Sequence, residues 1–247
     1  MRCALTLAYD GTSFLGSQIQ KETNNTVFGN LEQALCKLGI NFRVVASGRT
    51  DRGVHATAQV CHIDLPEFWS DLEKFRRVLA SMLPASIQIK HIKQVDDTFH
   101  ARYSAKRRVY RYIIKNEKSN PFEANFISFV EDIDFDTIQA NIKLFVGEHD
   151  FKFFMKTGSD VNSTIRVIYR AFAYRHKGAI VLNFEANGFL RTQIRLMVGA
   201  LLQSSSAQAK RQMPFGCQEI EEQLACKKQY KVKPAPSNGL YLAKIKY

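Results

Sequence analysis

The sequence lacks any apolar run long enough to cross a bilayer. Its longest stretches, such as Leu196 to Leu202, fall far short of the roughly 18 residues that a spanning helix needs. It also lacks a C-x-x-C pair. The five cysteines, Cys3, Cys36, Cys61, Cys217 and Cys226, are odd in number and widely spaced. That pattern argues against a disulfide framework and against a zinc site, and it fits a reducing compartment. There is no phosphate-cradling glycine signature and no acidic cluster of the kind that holds two catalytic metals. These absences argue against a phosphate-cradling loop and a two-metal centre. The apolar start is too short for a signal peptide and ends at Asp10, so the expected location is the cytoplasm.

Acidic residues are scarce as well. Against 35 Lys+Arg stand 23 Asp+Glu, a net charge of +12 over 247 residues. The imbalance is uneven: residues 1–98 carry 11 basic and 10 acidic side chains, whereas residues 99–247 carry 24 and 13. The hydrophobic fraction of 45% and the charged fraction of 23% are those of a globular chain with a sizeable core, not of a disordered one. A basic excess concentrated in one part of a globular chain points to a polyanionic partner, most often nucleic acid.

Hydrophobic periodicity gives the organisation. Arg2–Tyr9 reads as a strand, and Val27, Leu31, Leu35 and Leu38 recur at helical spacing. Phe42–Ser47 and Thr57–Ile63 read as strands. Pro66–Leu83 reads as a helix, with a capping box at Ser70-x-x-Glu73 and Pro84 as its stop. Ile87–Val95 alternates as a strand. After a strand pair at Thr98–Tyr103 and Arg107–Ile114, a second series follows. It comprises a strand at Phe126–Val130 and a helix capped by Asp134 and ended by Gly147. Strands at Thr164–Tyr174 and Ala179–Glu185 are joined through Lys177-Gly178. A helix over Phe189–Gln203 and a last strand at Leu240–Tyr247 complete it, with an insertion near Pro214–Cys226. Each series is β-α-β-β-α-β, the split pattern of a ferredoxin-like unit. The expected fold is α+β, in two similar ferredoxin-like halves with abutting antiparallel sheets. The expected domains are 1–97, holding a polar loop, and 98–247, holding most of the basic excess.

That polar loop, Ala46 to Ala56, is the least ordinary segment. Between two strands it packs Gly48, Arg49, Thr50, Asp51, Arg52, Gly53 and His55. Strongly polar connections at strand ends often carry active sites, although the same residues also suit a tight turn with solvated charges. Tyr110 and Tyr112 share one face of a strand, opposite Val109 and Arg111. Lys106, Arg107, Arg108, Arg111 and Lys115 surround them, and Lys227, Lys228, Lys231 and Lys233 form a second basic patch. Such residues bind phosphates without reading sequence.

Six motifs in order resemble the tRNA pseudouridine synthase A family. They are Tyr9-Asp10-Gly11-Thr12 with Phe14, Gly16 and Gln18; Gly48-Arg49-Thr50-Asp51-x-Gly53-Val54-His55-Ala56; Phe99-His100-Ala101-Arg102 followed by Tyr110-x-Tyr112; Gly147-x-His149-Asp150-Phe151; Gly188-Phe189 through Arg195-x-Met197-Val198-Gly199; and Gly239-Leu240-Tyr241-Leu242. The resemblance implies isomerisation of uridine to pseudouridine in the tRNA anticodon stem-loop, at uridines 38, 39 and 40, by a homodimer without cofactor. It implies that Asp51 is the nucleophile, attacking C1′ or C6. Arg195 would be the cation that keeps Asp51 ionised in a cleft between the halves. Tyr110 would stack on the uracil or help in proton movement, and Arg49 would assist extrusion of the base. Asp10 reads as a turn cap, and His55, His100 and His149 as structural hydrogen-bonders. Tyr112 reads as a core aromatic.

The chain departs from the family pattern at three places. Ser17 stands where tryptophan is usual, Arg52 replaces a small residue, and Thr192-Gln193-Ile194 replaces a His/Met/Val-like run. Two other readings share the basic charge and the aromatics. One is a non-catalytic RNA-binding protein on a ferredoxin-like sheet; the other is a uridine-modifying synthase with a different RNA target.

Overall fold

A computed structural model describes residues 1–158, 161–206 and 215–247. Its strands are β1 (Arg2–Tyr9), β2 (Val45–Ala46), β3 (His55–Asp64), β4 (Ile87–Gln94), β5 (Arg107–Lys115), β6 (Ser128–Phe129), β7 (Gly147–Asp150), β8 (Ile165–His176), β9 (Ala179–Ala186) and β10 (Leu240–Lys246). Its helices are α1 (Val27–Lys37), α2 (Leu72–Ser81), α3 (Phe135–Asn141), α4 (Gln193–Ser205) and α5 (Cys217–Leu224). The chain is mixed α/β and divides into two compact units, Met1–Arg108 with Tyr241–Tyr247, and Val109–Leu240.

In the first unit β1 pairs antiparallel with both β3 and β4, and β2 pairs antiparallel with β3. The alternation in β1 sends Cys3, Leu5 and Leu7 to one face, where they meet Phe28, Leu31 and Leu35 of α1 and Phe75 and Leu79 of α2. This is the core. Burial pushes the thiols of Cys3 and Cys61 up, to about 11 and about 12, so both stay protonated and inert. In the second unit β5 lies beside β9, followed by β8 and β7, and β6 pairs with β5. The β8–β9 hairpin turns through Lys177 at φ 47° and Gly178 at φ 78°. These are the two left-handed positions that a twisted hairpin favours.

Several expectations from the sequence are corrected. The division does not fall at residue 97, and the last strand does not belong with the second series. β10 pairs in parallel with β3, Tyr241 opposite His55 and Leu242 opposite Ala56. Residues 98–108 are tied to the same unit by side chains described below. The sheets are not wholly antiparallel, because β10–β3 and β6–β5 are parallel. Thr98–Tyr103 is a turn, not a strand: Asp96 accepts from the Thr98 N–H and hydroxyl. Pro66–Leu83 is interrupted. A 3-10 turn over Glu67–Trp69 precedes α2, whose cap is Asp71, accepting from the Lys74 N–H at 2.9 Å, rather than Ser70. Only Val45–Ala46 of Phe42–Ser47 and Ser128–Phe129 of Phe126–Val130 form strand. α4 begins at Gln193 and not at Phe189, because Thr192 adopts φ 65°. Asp134 does cap α3, which passes into a 3-10 turn at Ile142–Phe145. Of the expected insertion, Pro214 lies outside the described residues, and α5 occupies Cys217–Leu224.

Candidate active site

The polar loop runs from the end of β2 to the start of β3, and a buried hydrogen-bond network fixes it from beneath. Gln59 on β3 is fully buried. Its amide donates to the Gly48 carbonyl at 2.9 Å, and its oxygen accepts from the Ser47 hydroxyl at 2.6 Å. Thr50 is held from two sides. Its hydroxyl shares a 2.8 Å hydrogen bond with the Tyr9 hydroxyl, and its N–H donates to the Ser17 hydroxyl oxygen, also at 2.8 Å. Ser17 returns a bond from its own N–H to the Thr50 carbonyl at 3.1 Å. Burial pushes the Tyr9 phenol up to about 12, against hydrogen bonds from Thr50, Gln59 and Ser17, so it stays a neutral donor.

Thr50 thus points into the protein, and its neighbours face outward. Arg49 is exposed and Asp51 is half-buried. The chain then turns at once: the Val54 N–H donates to the Asp51 carbonyl at 3.1 Å, and Gly53 takes φ 77°, left-handed and suited to glycine. Asp51 therefore sits on a rigid turn rather than on a free loop. Arg52 occupies the exposed corner.

The opening motif supports the same turn. Asp10 caps a 3-10 turn at Gly11–Ser13, accepting from the Thr12 N–H at 2.9 Å, as the sequence implies. Gly11 lies against Val54 so closely that a Cβ there would stand 2.1 Å from the Val54 carbonyl oxygen. The Gly11 N–H donates to His55 Nδ1 at 3.1 Å, and the His55 ring stacks on Tyr241 at 4.7 Å. Glycine at position 11 is a requirement of close approach.

Tyr110 and Arg195 belong to the second unit. Tyr110 is 8% exposed and meets Phe189 edge-on at 5.3 Å. Tyr112, on the same face of β5, is fully buried, and its hydroxyl donates to the Pro236 carbonyl at 2.8 Å. Burial raises its phenol well above the usual range. Arg195, half-buried on α4, donates from Nε to the Ala235 carbonyl at 2.7 Å, while its own carbonyl accepts from the Ala235 N–H at 2.8 Å. The 233–235 backbone can run this close to α4 because residue 199 is glycine. A Cβ there would stand 2.0 Å from the Lys233 carbonyl oxygen.

The structure thus brings Arg49 and Asp51 together on one turn in the first unit, and sets Tyr110 and Arg195 within the second. Two of the basic residues expected to face RNA are engaged internally. Arg108 donates from Nη2 to the carbonyls of Ser47, at 3.0 Å, and Arg102, at 2.8 Å. Lys115 pairs with Glu123 at 2.6 Å. Lys106, Arg107, Arg111, Lys227, Lys228, Lys231 and Lys233 are exposed. Sequence reasoning missed Gln59, Tyr9 and Ser17 as supports of the loop. A polar Gln59 among Thr57–Ile63 was the one available signal. Among the described residues no group of three or more His, Cys, Asp or Glu is placed to hold a metal ion.

Comparison with known proteins bears on this arrangement. A family model described as tRNA pseudouridine synthase matches residues 6–104 and 142–247. The first stretch spans the opening motif and the Asp51 turn, and the second spans α4 and β10. The chain is 38% identical to the tRNA pseudouridine synthase A of Campylobacter jejuni, over all of both chains. It is 39% identical to that of Wolinella succinogenes, over 98% of this chain and 92% of the other. With that of Limosilactobacillus reuteri it shares 38% identity, over 100% and 96%. The family model and these relatives match the chain along its length, and the chain belongs to the tRNA pseudouridine synthase family of isomerases.

Proposed function

We propose that this protein isomerises uridine to pseudouridine in the anticodon stem-loop of cytoplasmic tRNAs, at uridines 38, 39 and 40, with Asp51 as nucleophile. The observation that carries the reading is the Asp51 turn: one carboxylate among arginines, held by a fully engaged network of Tyr9, Ser17, Ser47, Thr50 and Gln59. Preorganisation of this kind suits covalent catalysis, because the reacting oxygen needs no reordering when substrate arrives. In the reaction the N1–C1′ bond breaks, the uracil turns, and C5 bonds to C1′. N1 gains a proton and C5 loses its own to solvent. Arg49 takes the space left by the extruded base, Tyr110 packs on the uracil, and Arg195 is a further substrate-binding residue. The exposed lysines at 227–233 bind tRNA phosphates. We further read the first unit as ferredoxin-like, since its strands run β4-β1-β3-β2 with α1 and α2 as the connections. We take the working form to be a homodimer.

Tritium release from tRNA labelled at uridine C5 tests the chemistry. Wild type should release label from the anticodon stem-loop uridines, and Asp51→Asn should fall to below about a thousandth of that rate while staying folded. Near-normal turnover by the folded variant would overturn the assignment and favour the non-catalytic RNA-binding reading. Label released from another RNA instead would move the target.

A further inference from the structure

The turn between β4 and β5 carries an aromatic ring that the reading above leaves unused. Tyr103 is 77% exposed, second only to Phe122 among the large hydrophobic side chains of the described residues. Its backbone is nevertheless held on several sides within the first unit. The Ala101 N–H donates to His62 Nδ1 at 3.1 Å, and the Tyr247 hydroxyl donates to the Ala101 carbonyl at 2.9 Å. Arg2 donates from Nη1 to the Phe99 carbonyl at 3.2 Å. His100 Nδ1 accepts from the N–H groups of both Arg102 and Tyr103, at 3.2 Å each. The ring itself leans on His100, with centroids 4.3 Å apart and planes 33° apart, and the Arg102 guanidinium lies 5.6 Å from its centroid. An exposed ring on a loose loop says little. An exposed ring on a turn fixed by Arg2, His62, His100 and Tyr247 is presented.

The ring is also tied to the Asp51 loop. The Arg108 guanidinium that donates to the Arg102 carbonyl at 2.8 Å also donates to the Ser47 carbonyl, four residues before Asp51, at 3.0 Å. One side chain thus spaces the two segments. The exposed side chains nearest in sequence, Arg102, Lys106 and Arg107, and those on the loop, Arg49 and Arg52, are all cationic. A flat ring with one side backed by imidazole, set among cations, matches an unpaired nucleobase on a phosphate backbone. We infer that Tyr103 is a stacking platform for an unpaired base of the RNA next to the uridine that Asp51 attacks. This rests on the proposed function and adds to it a contact that helps select unstacked RNA.

The test uses the full chain and an unmodified tRNA transcript, with Kd from filter binding, KM and kcat from tritium release, and the unfolding midpoint. Tyr103→Ala should raise Kd and KM about 5–160-fold, the range for loss of one base–aromatic stack. It should leave saturated kcat within about twofold, because the ring holds a base other than the uridine that reacts. Tyr103→Phe, which keeps the ring, should match wild type. The slope of log Kd against log salt should be unchanged in Tyr103→Ala and reduced in Lys106→Ala, since only the latter releases counterions. Wild-type Kd in Tyr103→Ala would overturn the inference. So would equal weakening by Tyr103→Phe, or a change of oligomeric state in place of a change of Kd. Failure of the proposed function looks different: wild type would bind tRNA yet release no label, and the binding arms would still decide the role of Tyr103.

Discussion

Ser17 offers the sharpest test of the idea that the Asp51 turn is preorganised from beneath. Its side chain is fully buried, and its hydroxyl oxygen accepts the Thr50 N–H at 2.8 Å, one residue before the nucleophile. Ser17→Ala removes that acceptor, adds no bulk, and leaves a buried backbone N–H without its partner. An unsatisfied buried donor costs about 1–3 kcal/mol. For a chain of this size that lowers the unfolding midpoint by about 2–4 °C per kcal/mol. The effect on chemistry should be larger than the effect on stability suggests. Thr50 keeps only its hydroxyl bond to Tyr9 and the Ser17 N–H to its carbonyl, so the peptide joining it to Asp51 is free to tilt. Misplacement of a reacting group by about 1 Å costs on the order of a hundredfold in rate. The assay is single-turnover tritium release at saturating enzyme, beside a thermal melt and a tRNA-binding measurement. The expected result is a rate down about 10–100-fold, tRNA affinity near wild type, and a midpoint lowered as above. A Ser17→Ala protein with both the wild-type midpoint and the wild-type single-turnover rate would refute the reasoning. It would mean that the Tyr9, Gln59 and Ser47 contacts hold the turn without it.

The remaining predictions concern close approaches and one titration. Gly11→Ala places a Cβ 2.1 Å from the Val54 carbonyl, and should cost about 1–3 kcal/mol or more in denaturant titration; wild-type stability would contradict the packing described here. Gly199→Ala meets the Lys233 carbonyl at 2.0 Å and should push away the segment that Arg195 grips, so turnover should fall more steeply than tRNA binding. The His62 imidazole is pushed below the ordinary histidine value, first by burial and then by Arg2 and His100, with Asp64 opposing. A base whose folded pKa is depressed contributes stability that is present above the unfolded value and lost as pH falls through the folded one. The wild type should therefore lose stability below about pH 6.5 by a margin that His62→Gln does not show; parallel melts across that window would contradict this.

How much was legible varies with how local the signal is. β1 was readable to the residue because Cys3, Leu5 and Leu7 alternate over a full strand length. α1 is legible in the sequence because its apolar positions share one stripe; the Thr26 cap is seen only in the structure. The cap at Asp134 and the hairpin at Lys177-Gly178 were equally local. α2 was misread at its start because two oxygen-bearing side chains, Ser70 and Asp71, stand side by side, and only the geometry chooses Asp71. The sequence starts α4 four residues too early because nothing in Phe189–Thr192 announces the left-handed Thr192. In the candidate site the motif singled out Asp51 and Arg49, and composition had marked the loop as unusual. Arg108, by contrast, reads in the sequence as an RNA-facing charge. Its use as a staple between the Ser47 and Arg102 carbonyls depends on two segments far apart in the chain.

By itself the sequence determined the longer strands and helices, the location of the basic excess and the residues of the polar loop, since periodicity, capping and charge act over a few neighbours. Only the tertiary structure decided three other matters. It placed β10 parallel to β3, a pairing of Tyr241 with His55 that no local signal encodes, because such contacts follow from where the whole chain returns. It decided why residues 11 and 199 must be glycine, since the backbones of Val54 and Lys233 arrive there from elsewhere in the chain. And it showed that Ser17, the departure that looked like a loss against the tryptophan usual there, is a buried partner of Thr50. A hydroxyl at position 17 has meaning only once the turn beside Asp51 is folded against it.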